Sequence, residues 1–296
     1  MLSTRVWMGS LLAGLTLGLL FLDTSFAPWY PFLFGFFALV GLAGCHELRS
    51  LLPTERRPPA WLCHLGVQAV VAANWVQPFH QTWPSHVPFA DPWHLIFGIL
   101  VAVLIGGFLW EMATYREPGE AVARVTNALF TVAYLGALAS FLAQLRWLPT
   151  KTGSNNQAVH ALMLTIFVPK CCDIGAYCAG RLFGRHRMTP RLSPKKTWEG
   201  AAGGLLLAIV AAVGASYYGN QPPYFVIKAV AFAVTVAAAG VFGDLAESLI
   251  KREGQKKDAS QSLPGFGGVL DVIDSVLFAA PLSFLWLTTA WLSPLG

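Results

Sequence analysis

Long continuous apolar runs alternate along the chain with short polar stretches, and this pattern predicts membrane-spanning helices. We place nine spans, each within the length range that crosses a bilayer. The apolar positions form unbroken runs and do not alternate every second residue, which favours helices over a transmembrane barrel. The predicted spans are 6–22, 29–45, 61–79, 93–113, 125–145, 157–180, 200–219, 222–247 and 268–292. The chain is therefore predicted to be an all-α, polytopic integral membrane protein.

The composition agrees with a membrane protein. The chain is 55% hydrophobic and only 12% charged, whereas a soluble domain carries about a quarter of charged residues. The first span has an alternative interpretation, because Arg5, the apolar run and Ser25-Phe26-Ala27 resemble a cleaved signal peptide. We favour a retained span, since the next apolar segment follows at once.

The basic residues predict the orientation of the spans. Sixteen of the twenty Lys and Arg residues lie at the N-terminus or in the loops after the second, fourth, sixth and eighth spans. The positive-inside rule places these loops in the cytoplasm. The net charge of +5 therefore reports topology, and no nucleic-acid partner is expected. The five cysteines have no zinc-site spacing. A multi-pass protein of a bacterial plasma membrane fits this pattern.

The polar residues predict two functional halves. Residues 1–150 are predicted to form a scaffold of about five helices, in which Glu111 is the main charged residue of a span and has a capping or snorkelling role. Residues 151–296 are predicted to form about four helices that carry the catalytic site.

The strongest polar constellation lies between residues 244 and 275. Four side chains at i, i+3, i+4 and i+7 share one helix face: Asp244, Glu247, Ser248 and Lys251. Asp271 and Asp274 repeat this spacing at the start of the next span, after a glycine-rich turn of a kind that suits anions. Carboxylates at the edge of membrane spans are costly and are usually functional. The constellation predicts metal-assisted phosphoryl or nucleotidyl transfer at a membrane surface.

A second constellation lies around the sixth span. Asp173 and Tyr177 are one helical turn apart at its end, and a basic loop follows. A loop that fixes topology and contacts anionic lipid accounts for Arg185 and Arg187. It accounts less well for Ser-Pro-Lys-Lys-Thr-Trp-Glu-Gly at 193–200, where paired lysines offer phosphate contacts.

These residues resemble the phosphatidate cytidylyltransferases, also called CDP-diacylglycerol synthases, over roughly 170–276. The family signature appears as Ser248-Leu-Ile-Lys-Arg252, Lys257-Asp258, Pro264-Gly-Phe-Gly-Gly268 and Asp271-Val-Ile-Asp274. The segments 243–247, 173–181 and 193–200 also match. Two positions depart from the pattern, because Phe266 stands at the family histidine and Val272 at the family arginine.

The resemblance implies that CTP and phosphatidate react to CDP-diacylglycerol and pyrophosphate. It implies Mg²⁺ with a neighbouring K⁺, and it allows for a homodimer. Asp244 and Asp271 are the expected metal ligands, and Asp274 ligates or supports them. The expected phosphate-binding residues are Lys195, Lys196, Lys251 and Arg252, with backbone N–H groups at Gly265, Gly267 and Gly268. Asp173 and Tyr177 would shape the cavity or contact cytidine, and Ser193, Thr197 and Ser248 complete the expected binding set.

Three alternatives remain at this point. The first is a CTP-dependent lipid kinase, such as a dolichol or phytol kinase, which would release CDP. The second is a cytidylyltransferase for another lipid phosphate. The third is a transporter that uses Asp173, Asp244 and Asp271 as an ion relay. The absence of a convincing internal repeat and the position of the charges at span ends weigh against it. Glu247 has its own alternative, a simple ion pair with Lys251 at i+4.

Overall fold

The structure is a computed structural model of the chain. It describes residues 2–83, 91–148, 156–218, 225–256, 259–260, 262–263 and 267–289, with residues 2–6, 156, 218 and 225 described by their backbone alone. In this part of the chain the secondary structure is helical apart from one short hairpin and one isolated bridge, which confirms the all-α prediction.

The helices follow the apolar runs closely. Within the described residues they are α1 (Leu2–Leu22), α2 (Pro31–Leu51), α3 (Ala60–Asn74), α4 (Val76–Thr82), α5 (Pro92–Ala113), α6 (Ala121–Val132), α7 (Leu138–Gln144), α8 (Asn156–Phe183), α9 (Trp198–Tyr218), α10 (Phe225–Glu253) and α11 (Val269–Thr288). A π-helical turn, Ala133–Ala137, joins α6 to α7, so that one apolar segment runs from Ala121 to Trp147. The hairpin consists of β1 (Arg187–Thr189) and β2 (Ser193–Thr197).

Eight helical segments in the described chain are long and apolar enough to cross a membrane, and α3 is a shorter apolar helix. The predicted third span, 61–79, does not form one continuous helix in the structure. It breaks after Asn74 into α3 and α4. Pro78 lies at this break, because its ring would clash with the carbonyl four residues earlier, at Asn74, and it donates no backbone hydrogen bond. Pro169 and Pro281, by contrast, are accommodated inside α8 and α11. The prolines at 31 and 92 cause no break, because they lie in the first turn of α2 and α5.

The chain forms two compact units. Unit one contains Met1–Ala143 and Glu253–Val272, and unit two contains Gln144–Arg252 and Ile273–Gly296. The segment from Glu253 to Val272 is thus grouped with the N-terminal helices. The expectation of a scaffold half and a catalytic half divided at residue 150 stays a prediction.

Unit one packs through close contacts between valines and glycines. A side-chain atom placed on Gly66 would meet Val132 at 2.6 Å and Val103 at 2.9 Å, so α3 lies very close to α5 and α6. Small residues permit this approach between membrane helices, where packing replaces the hydrophobic effect.

Unit two has an apolar core shared by α8, α9, α10 and α11. Its fully buried members are small or branched residues packed around Phe232: Val168, Cys172, Ala208, Ala212, Ala233, Val236, Ala237 and Ala279. This core fixes the ends of the four helices, and the polar side chains described next project from those ends.

Candidate active site

The site in unit two begins with a seam of small residues between α8 and α9. A Cβ atom on Gly203 would lie 2.2 Å from the Cβ of Ala179, and one on Gly175 would lie 2.7 Å from the carbonyl oxygen of Gly203. Nothing larger than hydrogen fits at these positions. The seam therefore holds the end of α8, with Asp173 and Tyr177, against the start of α9.

The start of α9 is fixed by the hairpin. The hydroxyl of Thr197, the last residue of β2, accepts a hydrogen bond from the N–H of Gly200 at 3.1 Å, which is an N-cap interaction. The carboxylate of Glu199 accepts from the N–H groups of Arg185 and His186 at 3.1 and 3.2 Å. The predicted basic loop is thus an ordered hairpin, and Ser193, Lys195 and Lys196 are held on it.

Seven of the predicted site residues line one cavity of about 250 Å³ in unit two. Its lining comprises Asp173, Ala176, Tyr177, Met188, Ser193, Lys195, Lys196, Thr197, Gly200, Ala201, Val241 and Asp244. Cationic groups come from the hairpin, carboxylates from α8 and α10, and an exposed aromatic ring from Tyr177. The cavity can hold a polyanion beside a planar ring.

An acidic cluster adjoins this cavity. Each of Asp244, Glu247 and Asp274 offers a carboxylate oxygen within 4.8 Å of the other two. Asp244 belongs to both the cluster and the cavity lining. The cluster forms because α10 and α11 approach closely at Gly243, where a Cβ atom would lie 2.4 Å from the carbonyl oxygen of Asp274.

Lysines pair with all three carboxylates of the cluster. The Nζ of Lys196 lies 2.8 Å from Asp244, and the Nζ of Lys251 lies 2.6 Å from Glu247. Lys170 lies 3.6 Å from Asp274. The predicted pair between Glu247 and Lys251 is therefore present. The opposite charges allow the carboxylates of Glu247 and Asp274 to stay buried, whereas Asp244 is partly exposed.

A hydrogen-bond network continues from the cluster to Asp173. Lys170 donates to the carboxylate of Asp173 at 3.2 Å, and the hydroxyl of Ser275 donates to the same oxygen at 3.0 Å. Asp274 accepts from the N–H of Ser275. Lys170 and Ser275 thus link the acidic cluster to the cavity wall. Lys170 was not among the predicted site residues, although a lysine inside an apolar span was a visible signal.

Three predicted binding residues of unit two lie outside the cavity lining. Ser248 is largely buried on α10. Lys251 is engaged with Glu247, and Arg252 is exposed and donates to the carbonyl oxygen of Leu192 at 3.4 Å. Arg252 thus attaches the end of α10 to the hairpin turn. The substrate contacts expected of these three residues stay predictions.

Asp271 lies in unit one and organises the glycine-rich turn. Its carboxylate accepts from the N–H of Gly268 at 2.7 Å and from the N–H of Ala259 at 3.2 Å. Gly267 has a φ of +100°, a conformation that L side chains rarely adopt. Gly265 and Phe266 lie outside the described residues, and Val272 is half-buried on α11. The role of Asp271 as a metal ligand with Asp244 stays a prediction.

Sequence reasoning missed Glu47, a buried carboxylate at the end of α2 in unit one. It accepts from the backbone N–H groups of Val269 and Leu270 at 3.0 and 2.8 Å and from the hydroxyl of Ser260 at 2.6 Å. An anionic side chain is favourable at a helix N-terminus, so Glu47 caps α11. The signal was an acidic residue at the end of an apolar span. Glu111, noted from the sequence, forms an ion pair with Arg124.

Comparisons with known proteins agree on one family. Residues 3–290 match the cytidylyltransferase family. A phosphatidate cytidylyltransferase of Mycobacterium bovis is 30% identical over 292 residues, which cover 94% of this chain and 87% of that protein. A protein of the same name from Haemophilus influenzae is 41% identical over 128 residues, or 41% of this chain and 44% of that protein. Another, from Synechocystis, is 32% identical over 205 residues, covering 61% of this chain and 68% of that protein.

Proposed function

Since the chain belongs to the cytidylyltransferase family, we propose that it works as a membrane-embedded phosphatidate cytidylyltransferase, with the cavity of unit two as its nucleotide site. The reaction joins CTP and phosphatidate into CDP-diacylglycerol and releases pyrophosphate. The observation that carries the proposal is the convergence of Lys195, Lys196, Asp173 and Asp244 on one cavity beside the acidic cluster.

The hairpin lysines are suited to the triphosphate. Lys195 is exposed, and Lys196 exchanges its contact with Asp244 for phosphate oxygens at little cost, because both are charge-assisted interactions. Tyr177 is 45% exposed and offers a surface for the cytosine ring. Asp173 is a hydrogen-bond acceptor for the nucleoside, held in place by Lys170 and Ser275.

The acidic cluster fits a divalent cation. Three carboxylate oxygens within 4.8 Å of one another are the ligand type that Mg²⁺ prefers, and on binding they would draw closer, because ligands at 2.0–2.1 Å from one ion are at most about 4.2 Å apart. Asp244, Glu247 and Asp274 would hold the ion in unit two, and K⁺ is the second ion implied by the family resemblance. The expectation from the sequence that Asp271 is a metal ligand stays a prediction. Bound Mg²⁺ would neutralise triphosphate charge and polarise the α-phosphate.

The reaction requires the two phosphate groups to be aligned more than it requires the nucleophile to be activated. A phosphate oxygen of phosphatidate attacks the α-phosphorus of CTP, a new P–O bond forms, and the bond to the departing pyrophosphate breaks. The lipid phosphate is already an anionic nucleophile, so no strong general base is needed. Lys195 and Lys196 hold the triphosphate and offset the repulsion between two anions, which is electrostatic and positional catalysis.

The proposed setting is a bacterial plasma membrane, with the cavity open to the cytoplasm. The basic hairpin that builds the cavity supports this orientation through the positive-inside rule. Phosphatidate then enters from the surrounding lipid and CTP from the cytoplasm. The homodimer allowed by the family resemblance stays part of the proposal.

A double-label assay tests the function. Purified protein in detergent is incubated with Mg²⁺ and phosphatidate, and with CTP labelled either at the α- or at the γ-phosphorus. The proposal predicts α-label in lipid and γ-label in free pyrophosphate, with neither transfer in Asp271→Asn. Label from the γ-phosphorus in a lipid, with CDP released, would instead identify a lipid kinase. Normal transfer in Asp271→Asn would remove that residue from the metal site.

A further inference from the structure

Unit one contains a second, larger cavity that the proposed reaction does not use. It has a volume of about 640 Å³, and four helix ends meet around it. These are the end of α2, the start of α3, the end of α5 and the start of α6. Its charged side chains are Arg49, Arg57, Arg124 and Glu111. We call it the arginine cavity.

The arginine cavity carries a surplus of positive charge. Glu111 is buried and engages Arg124 through two contacts of 2.9 and 2.5 Å, so these two charges offset each other. Arg49 and Arg57 form no ion pair within the described residues. Arg49 donates to the carbonyl oxygen of Pro58 at 2.8 Å, and Arg57 donates to that of Leu52 at 3.1 Å. Backbone acceptors position these two guanidinium groups without neutralising them.

Arg57 also has an unsatisfied donor. Its Nε is buried and finds no hydrogen-bond acceptor among the described residues. A buried donor without a partner costs free energy of about 1–3 kcal/mol. This Nε has almost no accessible surface, so a ligand in the cavity does not reach it. The two unneutralised guanidinium groups that line the cavity nevertheless suit an anionic ligand with several oxygens.

The loop that lines the cavity is tied to a neighbouring helix by hydrogen bonds. The loop between α2 and α3 contains Pro53, Pro58 and Pro59. It is attached to α6, because Arg124 donates to the carbonyl oxygen of Glu55 at 3.1 Å and Asn127 donates to that of Arg56 at 2.9 Å. The positions of Arg49 and Arg57 are therefore set before any ligand arrives.

Two tryptophans indicate where the ligand comes from. Trp61 and Trp110 contact each other edge to face, with ring centroids 5.4 Å apart, and are 44% and 41% exposed. They lie at the ends of apolar helices, where tryptophan marks the level of lipid headgroups. A soluble anion gains nothing from these rings, whereas a lipid gains contact for its glycerol and first methylene groups.

We propose that the arginine cavity binds the phosphate headgroup of an anionic phospholipid. The phosphate lies between Arg49 and Arg57, and the glycerol backbone lies against Trp61 and Trp110. The site assigns a lipid contact to the N-terminal helices, independently of the reaction proposed for unit two.

Native mass spectrometry of the detergent-solubilised protein tests this proposal. The protein is offered equal amounts of phosphatidylglycerol and phosphatidylcholine. The wild type should retain one more molecule of phosphatidylglycerol than the Arg49→Gln/Arg57→Gln variant. The affinity of this variant for phosphatidylglycerol should fall at least about tenfold. Arg56→Gln is the matched control, because Arg56 is exposed and pairs with Glu120 outside the cavity. It should retain the lipid.

A second pair of variants guards against misfolding of the loop. Thr114 lines the cavity but donates only to the carbonyl oxygen of Trp110. Thr114→Glu adds a negative charge without touching the loop and should also lose the lipid, whereas Thr114→Gln should keep it. Equal phosphatidylglycerol retention in Thr114→Glu and Thr114→Gln would overturn the proposal. So would displacement of the lipid by inorganic phosphate, but not by chloride at the same ionic strength, since it identifies a soluble phosphate site.

Discussion

Glu47 had no predicted role in the sequence analysis, and the structure shows that it caps α11. It satisfies two orphan N–H groups of α11 and the hydroxyl of Ser260 with a single carboxylate. Removing the charge in Glu47→Gln weakens these charge-assisted bonds and should destabilise the protein by about 1 kcal/mol. For a protein of 296 residues the Tm should then fall by about 2 °C.

Thermal unfolding in detergent checks this expectation, with Glu55→Gln as the control. Glu55 is exposed in the loop after α2, and its side chain caps no helix. The control should leave the Tm unchanged. An equal Tm for Glu47→Gln and wild type would show that the cap of α11 contributes nothing to stability.

Glu47 also shows what a sequence can and cannot reveal about a site. The motif residues Asp173, Lys195, Lys196 and Asp244 were predicted as one site, and they do line one cavity. The resemblance to the cytidylyltransferase family grouped them, because Asp173 and Asp244 lie far apart in the sequence. Glu47 lies more than 200 residues before its partners, and nothing in local spacing links them.

The α8–α9 seam is the element that shapes the cavity. In Gly203→Ala the new methyl group would meet the Cβ of Ala179 at 2.2 Å. Overpacking of this kind costs about 1–3 kcal/mol, and the seam should open and lower the affinity for CTP. Gly214 lies on the same helix with nothing within 4 Å, so Gly214→Ala should gain about 0.5–1 kcal/mol from helix propensity.

The two alanine variants should therefore shift the Tm in opposite directions, and only Gly203→Ala should raise the KM for CTP. Thermal unfolding and initial rates at varied CTP measure both effects. A Gly203→Ala variant with wild-type Tm and KM would mean that the seam tolerates a methyl group and does not shape the cavity.

Element prediction succeeded where apolar length decided the outcome and failed at short or interrupted elements. The spans were found because apolar length is nearly sufficient in a membrane. The hairpin β1–β2 was expected as a loop, because three- and five-residue strands leave too short a pattern to detect. Pro78 marks the break after Asn74 in the sequence, but the apolar run around it led to the prediction of a single span.

At the scale of the whole molecule, the orientation in the membrane is the claim most open to test. In a cysteine-free background, Arg56→Cys should react with a membrane-impermeant maleimide only from the cytoplasmic side, and Trp83→Cys only from outside. Both positions are exposed, and the charge distribution places them on opposite sides. Labelling of both from the same side would contradict the assigned topology.

The central claim is that nucleotidyl transfer takes place at the unit-two cavity and depends on Asp244, the residue that belongs to both the cavity lining and the acidic cluster. The most direct measurement is the rate of pyrophosphate release by Asp244→Asn at saturating CTP, phosphatidate and Mg²⁺. We expect a loss of at least about 100-fold, comparable to removal of one preorganised transition-state contact. Asp91→Asn, which changes the exposed N-cap of α5 and a contact with His94 at 3.4 Å, should retain the wild-type rate. Turnover by Asp244→Asn within a few-fold of the wild type would contradict the claim.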